Sequence, residues 1–153
     1  MNDFYDFSDL RLGMRINAEG SWDPATGMRV AMISIKDDGD ADELEANIES
    51  IDAANGTLRI LGLTVAVGAG LEIKDLDKSP IGLTALSAGT RIKLKGRVQA
   101  DRSFIADKIK VKMHSPDEHD EIEAEITALD PATRTLVVMG FAFDCDADVE
   151  IEA

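Results

Sequence analysis

The stretch from Glu43 to Asp75, ELEANIESIDAANGTLRILGLTVAVGAGLEIKD, occurs twice in this chain. Moved along by 78 residues without a gap, it aligns with EIEAEITALDPATRTLVVMGFAFDCDADVEIEA, from Glu121 to Ala153, and 12 of the 33 pairs are identical. A repeat at a fixed shift means that one supersecondary unit is used more than once, and the rest of the fold has to accommodate it. A second, weaker repeat lies outside the first. LRLGMRINAEGSWDPATGMRVAMISIK (10–36) matches LSAGTRIKLKGRVQADRSFIADKIKVK (86–112) at a shift of 76, with 7 of 27 positions identical. The chain therefore reads B1–A1–B2–A2.

Both half-repeats carry the period of strands. Leu44, Ala46 and Ile48 alternate with Glu43, Glu45, Asn47 and Glu49, the period-2 pattern of a half-buried strand. Asp52 to Gly56 supply turn residues. TLRI-LG-LTVAV then predicts a hairpin with Leu61-Gly62 as a two-residue loop, so that Ile60 faces Leu63 and Leu58 faces Val65. In the copy, Met139-Gly140 is the loop, with Val138 facing Phe141 and Leu136 facing Phe143. B2 reads as a second hairpin: Ile92, Leu94, Val98 and Ala100 point one way, Arg91, Lys93, Lys95 and Arg97 the other, and Asp101–Ser103 make the turn. B1 does the same around the turn 22–27, and the stretch 78–89 has room for one short helix. The fold class is all-β. One A with one B gives about five short strands, the count and order of a small OB-type barrel, which avoids exposed edges by closing on itself.

The phase of the repeat sets the domain organisation. Only A1–B2 is complete in chain order, giving an OB-like barrel over residues 41–116. An isolated hairpin is marginal in water, so B1 and A2 must bury their apolar faces. Pairing them makes a second, permuted barrel from 1–40 and 117–153. Exchange between two chains would bury the same faces in a domain-swapped dimer.

Charge and composition exclude several functions. The chain has 153 residues and a net charge of −14, which disfavours nucleic acid or an anionic membrane as the main partner. The longest uncharged run, 60–71, is too short to span a membrane, which takes roughly 20 apolar residues. The acidic N-terminus has no secretory h-region, and the one cysteine, Cys145, cannot form an intrachain disulfide. Aligned with Val67, Cys145 continues the inward set of Phe141 and Phe143 and reads as a small apolar core residue. No nucleophile–base pair or phosphate loop can be assembled, so the chain is expected to be non-enzymatic and to need no cofactor.

Three sets of side chains are candidates for binding. The first is the basic stripe Arg91, Lys93, Lys95, Arg97, Arg102, Lys108, Lys110 and Lys112, which holds 8 of the 16 Lys and Arg. Such a face suits a polyanion or single-stranded nucleic acid, although Phe104 is its one ring. The more economical reading is that the stripe neutralises Glu43, Glu45 and Glu49 across paired strands. The second set is acidic. Asp38, Asp40, Asp42 and Glu45, and likewise Asp144, Asp146, Asp148 and Glu150, resemble loose ligand sets for a divalent cation, but without EF-hand spacing. His114 and His119, with Asp117, Glu118 and Asp120 around them, sit in an acidic linker. Third, Trp22 lies at a turn, as a contact residue or a lid on the permuted barrel.

The run A-x-I-x-x-I-D-x-x-x-G-T-L-x-I-L-G-L-T-V-x-V from Ala46, followed by L-x-A-G-T-R-I-K-L-K-G-R-V-Q-A-D-x-S-F-I-A-D-K-I from Leu86, resembles a bacterial family of tandem small β-barrel domains of unknown function, OB-like in expected fold. The resemblance extends over nearly the whole chain and rests on structural glycines and aliphatics. It implies a periplasmic or envelope location, with any leader removed or lying upstream, and brings no catalytic residues. The expectation is a binding or scaffolding module whose partner is a protein or another envelope component.

Overall fold

A computed structural model describes residues 6–23, 27–36, 41–68, 71–101, 103–114, 119–145 and 149–152. The chain is all-β, with mixed parallel and antiparallel strands. The strands are β1 (Arg15–Asp23), β2 (Gly27–Lys36), β3 (Asp42–Asn47), β4 (Ser50–Asp52), β5 (Thr57–Ile60), β6 (Leu63–Ala66), β7 (Glu72–Lys74), β8 (Arg91–Val98), β9 (Phe104–Val111), β10 (Asp120–Asp130), β11 (Thr135–Val138), β12 (Phe141–Asp144) and β13 (Glu150–Glu152). The short helix expected in 78–89 is a single 3₁₀ turn, Leu83–Ala85. The chain divides into a central unit, Ala41–Asp120, and a discontinuous unit, Met1–Asp40 with Glu121–Ala153.

In the central unit the strand order is β3–β8–β9–β6–β5–β4, with β7 also on β9. β3 and β4 are successive parts of one bent strand. At the bend, the Ile48 N–H donates to the Thr90 carbonyl on the β8 side, and the Glu49 N–H donates to the Arg59 carbonyl on the β5 side. The ladder among the described residues is open at this bend. β5 and β6 form the expected hairpin, with Ile60 opposite Leu63 and Leu58 opposite Val65. Its loop puts Leu61 at φ 52° and Gly62 at φ 74°. A leucine with positive φ is strained, but Leu61 is 1% exposed, so burying it offsets the strain.

The discontinuous unit is built on the same plan. The Gly13 N–H donates to the Ile126 carbonyl and the Ile126 N–H to the Met14 carbonyl, matching Gly89 with Ile48 and Ile48 with Thr90 in the central unit. β11 and β12 pair with Val138 opposite Phe141 and Leu136 opposite Phe143. Met139 at φ 54° and Gly140 at φ 81° repeat the loop. Each A half also ends in a short parallel strand, β7 on β9 and β13 on β2; the alternation in 149–152 marks the second, and the first has only Leu71 and Ile73 to mark it.

Both B hairpins contain a bulge at a glycine. The β1–β2 register shifts at Glu19/Gly20, and the β8–β9 register shifts at Lys95/Gly96. A Cβ on Gly20 would lie 1.8 Å from the Arg29 carbonyl oxygen, and one on Gly96 would lie 2.0 Å from that of Ile105. Only glycine lets the two backbones come this close.

The cores are aliphatic and trade volume between equivalent positions. Phe141 and Phe143 on β12 replace Leu63 and Val65 on β6, while Ala18 replaces Leu94. Interiors packed at crystal density require larger side chains on one wall to face smaller ones opposite. Cys145 is 1% exposed and continues the inward row of Phe141 and Phe143, as its alignment with Val67 implied.

Candidate functional site

The outer face of the central sheet is a grid of charges. β3 and β8 pair with Glu43 opposite Lys95 and Glu45 opposite Lys93. β8 and β9 then place Lys93 opposite Lys110 and Lys95 opposite Lys108. β9 and β7 place Lys108 opposite Glu72 and Lys110 opposite Lys74. Across the sheet, one row runs Glu43, Lys95, Lys108, Glu72 and the next runs Glu45, Lys93, Lys110, Lys74. These side chains share one face because the alternate residues Leu44, Ile73, Leu94 and Ile109 point into the core.

The edge nearest β3 is neutralised, as the economical reading of the stripe expected. The Glu43 carboxylate lies 3.8 Å from the Lys93 ammonium and 3.5 Å from that of Lys95. Glu45 pairs with Arg91 at 3.1 Å. Glu49 takes no part, because its carboxylate accepts the Gly62 N–H at 2.6 Å. Arg91 does not belong to a binding stripe. It is 2% exposed, paired with Glu45 and with Asp120 at 3.6 Å, and it donates to the His119 carbonyl. The alternation places it outward, but the segment at 119–120 covers it. Arg15 repeats the arrangement, 6% exposed with Nη2 3.0 Å from Glu123. A buried Arg–Glu pair is therefore common to both units.

The other side of the grid is not neutralised. Lys108 and Lys110 are exposed and form no ion pair with a described residue, and Lys74 pairs only with Glu72, at 2.9 Å. Glu72, Lys74, Lys108, Ile109 and Lys110 line an open hollow of about 100 Å³. The hydrogen bond and charge of Lys74 hold the Glu72 carboxyl below its usual range, and the charges of Lys108 and Lys110 add to this. Hydrogen bonds from Ser79 and Ser103 similarly lower Asp77 and Asp101, which close exposed turns. Like charges directly opposite each other in a sheet are destabilising, and here two such pairs adjoin: Lys93 with Lys110, and Lys95 with Lys108.

The remaining candidates fall as follows. Arg97 is exposed on the outward face of β8, toward its far end, and Lys112 is exposed just past β9. Arg102, Asp38, Asp40, Asp117, Glu118, Asp146 and Asp148 lie outside the described residues. Asp42 accepts the Val98 N–H at 3.1 Å and Glu45 holds Arg91, so both members of the first acidic set that are described serve the fold. Asp144 accepts from the Thr135 hydroxyl at 3.2 Å, and Glu150 is exposed on β13. His114 Nε2 is 3.1 Å from the Gly89 carbonyl. Among the described residues, no three His, Cys, Asp or Glu are grouped to hold a metal ion. Trp22 is half-buried and packs edge-to-face on Phe141 at 5.8 Å between ring centroids. It serves as a cover on its own unit. Lys74 was missed in the sequence because β7 was missed. The only signal for it is the Leu71/Ile73 alternation.

Residues 45–110 match the family model of a domain of unknown function (DUF5666). That span runs from Glu45 in β3 to Lys110 in β9 and includes every lysine of the grid. No curated protein and no solved structure matches the chain. Among the described residues, no helix is long and apolar enough to cross a membrane.

Proposed function

We propose that this chain is a non-enzymatic binding module of a bacterial exported or envelope protein, and that it binds anionic partners through the lysine face of its central unit. The units are OB-like in this reading, supported by the bent β3/β4 strand that pairs with β8 on one side and β5 on the other. The envelope location rests on the sequence resemblance. One observation carries the binding reading: Lys93 faces Lys110 and Lys95 faces Lys108, whereas the copy has Asn17 opposite Ser34 and Glu19 opposite Met32. The fold therefore does not require the lysines. A sheet that accepts two repulsive pairs gives up stability for surface charge, which is the usual trade at a functional site.

Dextran sulfate titrated into the protein tests this reading. Binding should be measurable at low ionic strength and should weaken steadily with added salt. The double variant Lys93→Asn/Lys110→Ser carries the residues that the copy already uses, so it should fold and should lose at least tenfold in affinity. Absence of binding to dextran sulfate at low salt would remove the reading.

A further inference from the structure

The geometry points to a linear acidic polysaccharide with one carboxylate per sugar, a polyuronate, as the polymer that lies across this lysine face; the inference rests on the anion-binding reading above. Three observations select the class. First, the cations of the two rows are lysines, and Arg97 lies beyond them on β8, opposite Ile105. Arg91, which could offer a planar fork to a phosphate, is buried in ion pairs. Lysine is a mobile point charge that attracts an acid without fixing its geometry, which suits a polymer able to slide between equivalent positions.

Second, the face offers nothing for a base to stack on. The central unit has one aromatic residue other than histidine, Phe104, and it is 0% exposed. Proteins that hold single-stranded nucleic acid without reading its sequence combine a basic groove with exposed rings. Only the charge is present here.

Third, the spacing is regular. Lys93, Lys110 and Lys74 are cross-strand neighbours on β8, β9 and β7. Adjacent strands are about 4.8 Å apart. A chain running across the strands therefore meets a cation at each strand step: Lys110 without an ion pair to a described residue, and on either side of it Lys93 and Lys74, which share their charge with Glu43 and Glu72. In a 1,4-linked polyuronate one carboxylate recurs per sugar, separated from the next by one pyranose ring and one glycosidic oxygen, and successive carboxylates alternate between the two edges of the chain, so each edge presents an acid at about every second strand. In polyphosphate the acids are only two P–O bonds apart, so about every second charge would lack a partner. Lys95 and Lys108 form a second row about 6.7 Å along the strands, available to acids on the other edge of the polymer. Glu43 and Glu72 end that row and leave it too short to favour a denser polyanion.

Calorimetric titration of the full chain with alginate, polyphosphate and oligo(dT), matched for charge at low ionic strength, decides the matter. Alginate should bind at least tenfold more tightly per charge than either competitor. Lys93→Asn/Lys110→Ser should abolish the difference, and Arg97→Ser, off the rows, should preserve it. Tighter binding of polyphosphate or oligo(dT) would overturn the polyuronate assignment while leaving the anion-binding reading in place. If dextran sulfate also fails to bind, both fall. A low-salt dimer in light scattering that Lys93→Asn/Lys110→Ser dissolves would give the face to a second copy of the chain and overturn the assignment as well.

Discussion

The two units share their backbone devices and differ in charge. Equivalent positions hold the glycine bulges at Gly20 and Gly96, the positive-φ loops at Met139-Gly140 and Leu61-Gly62, and the buried pairs Arg15–Glu123 and Arg91–Glu45. The central unit contains 11 Lys and Arg against 13 Asp and Glu, a net −2. The discontinuous unit contains 5 against 17, a net −12. Nearly all of the chain's net charge therefore belongs to one unit, and whole-chain charge is a poor guide to what the other can bind. Features common to both copies are what the fold needs. Features found in one copy only, such as the lysine rows, are free for function.

The glycine bulges should give the largest effect. Gly96→Ala and Gly20→Ala each drive a Cβ into a carbonyl oxygen that belongs to a paired strand and cannot swing aside. Overpacking against backbone costs about 3 kcal/mol or more, so each variant should lose most of the stability of its own unit in urea melts. Gly89→Ala, where a Cβ meets open space but φ is +89°, should cost only about 1 kcal/mol. A mild Gly96→Ala would mean that the bulge is not a shared requirement.

The buried ion pairs come next and allow a sharper comparison. Arg91→Met takes away the guanidinium shared by Glu45, Asp120 and the His119 carbonyl, and Arg15→Met takes away the one that holds Glu123. Removing one partner of a buried pair costs about 3 kcal/mol, somewhat less here because both glutamates keep some solvent contact. Arg91→Met should be the more damaging of the two. Arg15→Met/Glu123→Met should recover most of the loss of the single variant. Equal losses in the two units would show that Asp120 and His119 add nothing to Arg91.

The repeat made the strands, both two-residue loops, the facing pairs across them and the buried cysteine legible, because period-2 patterns and loop glycines are local signals. It also set the strand of Glu43 and Glu45 beside the basic stripe, but which glutamate faces which lysine came only with the register of β3 on β8. The fate of Arg91 was not legible. Alternation places it outward with Lys93, and only the return of the chain at 119–120 covers it. Lys74 was hidden for a related reason: three residues of β7 are too few to establish a period, and their partner on β9 is distant in sequence. Of the lysine rows, the β8 and β9 members were thus available from the sequence. The opposition of like charges emerged only once the bulge at Gly96 had fixed which lysine faces which.

The smallest predicted effect concerns the one carboxylate within the unneutralised corner. Glu72 hydrogen-bonds Lys74 and titrates below its usual range. A carboxyl whose folded value is lowered stabilises the fold above its unfolded value, and that contribution is lost as pH falls through the folded value. Because Glu72 is about half exposed, screening makes the stability change slight, and ligand binding is the better readout. Neutralising Glu72 releases Lys74 and removes the negative charge opposite Lys108 on β7. Affinity for dextran sulfate, which stays ionised throughout, should therefore rise as pH drops below the ordinary carboxylate range. Glu72→Gln should give the same increase at neutral pH, roughly twofold for one exposed pair, and should flatten that part of the pH profile. The equivalent positions in the discontinuous unit are Glu150 and Glu152, with no cation to release, so Glu150→Gln should leave affinity unchanged. If both variants raise it equally, overall charge rather than the lysine face governs binding.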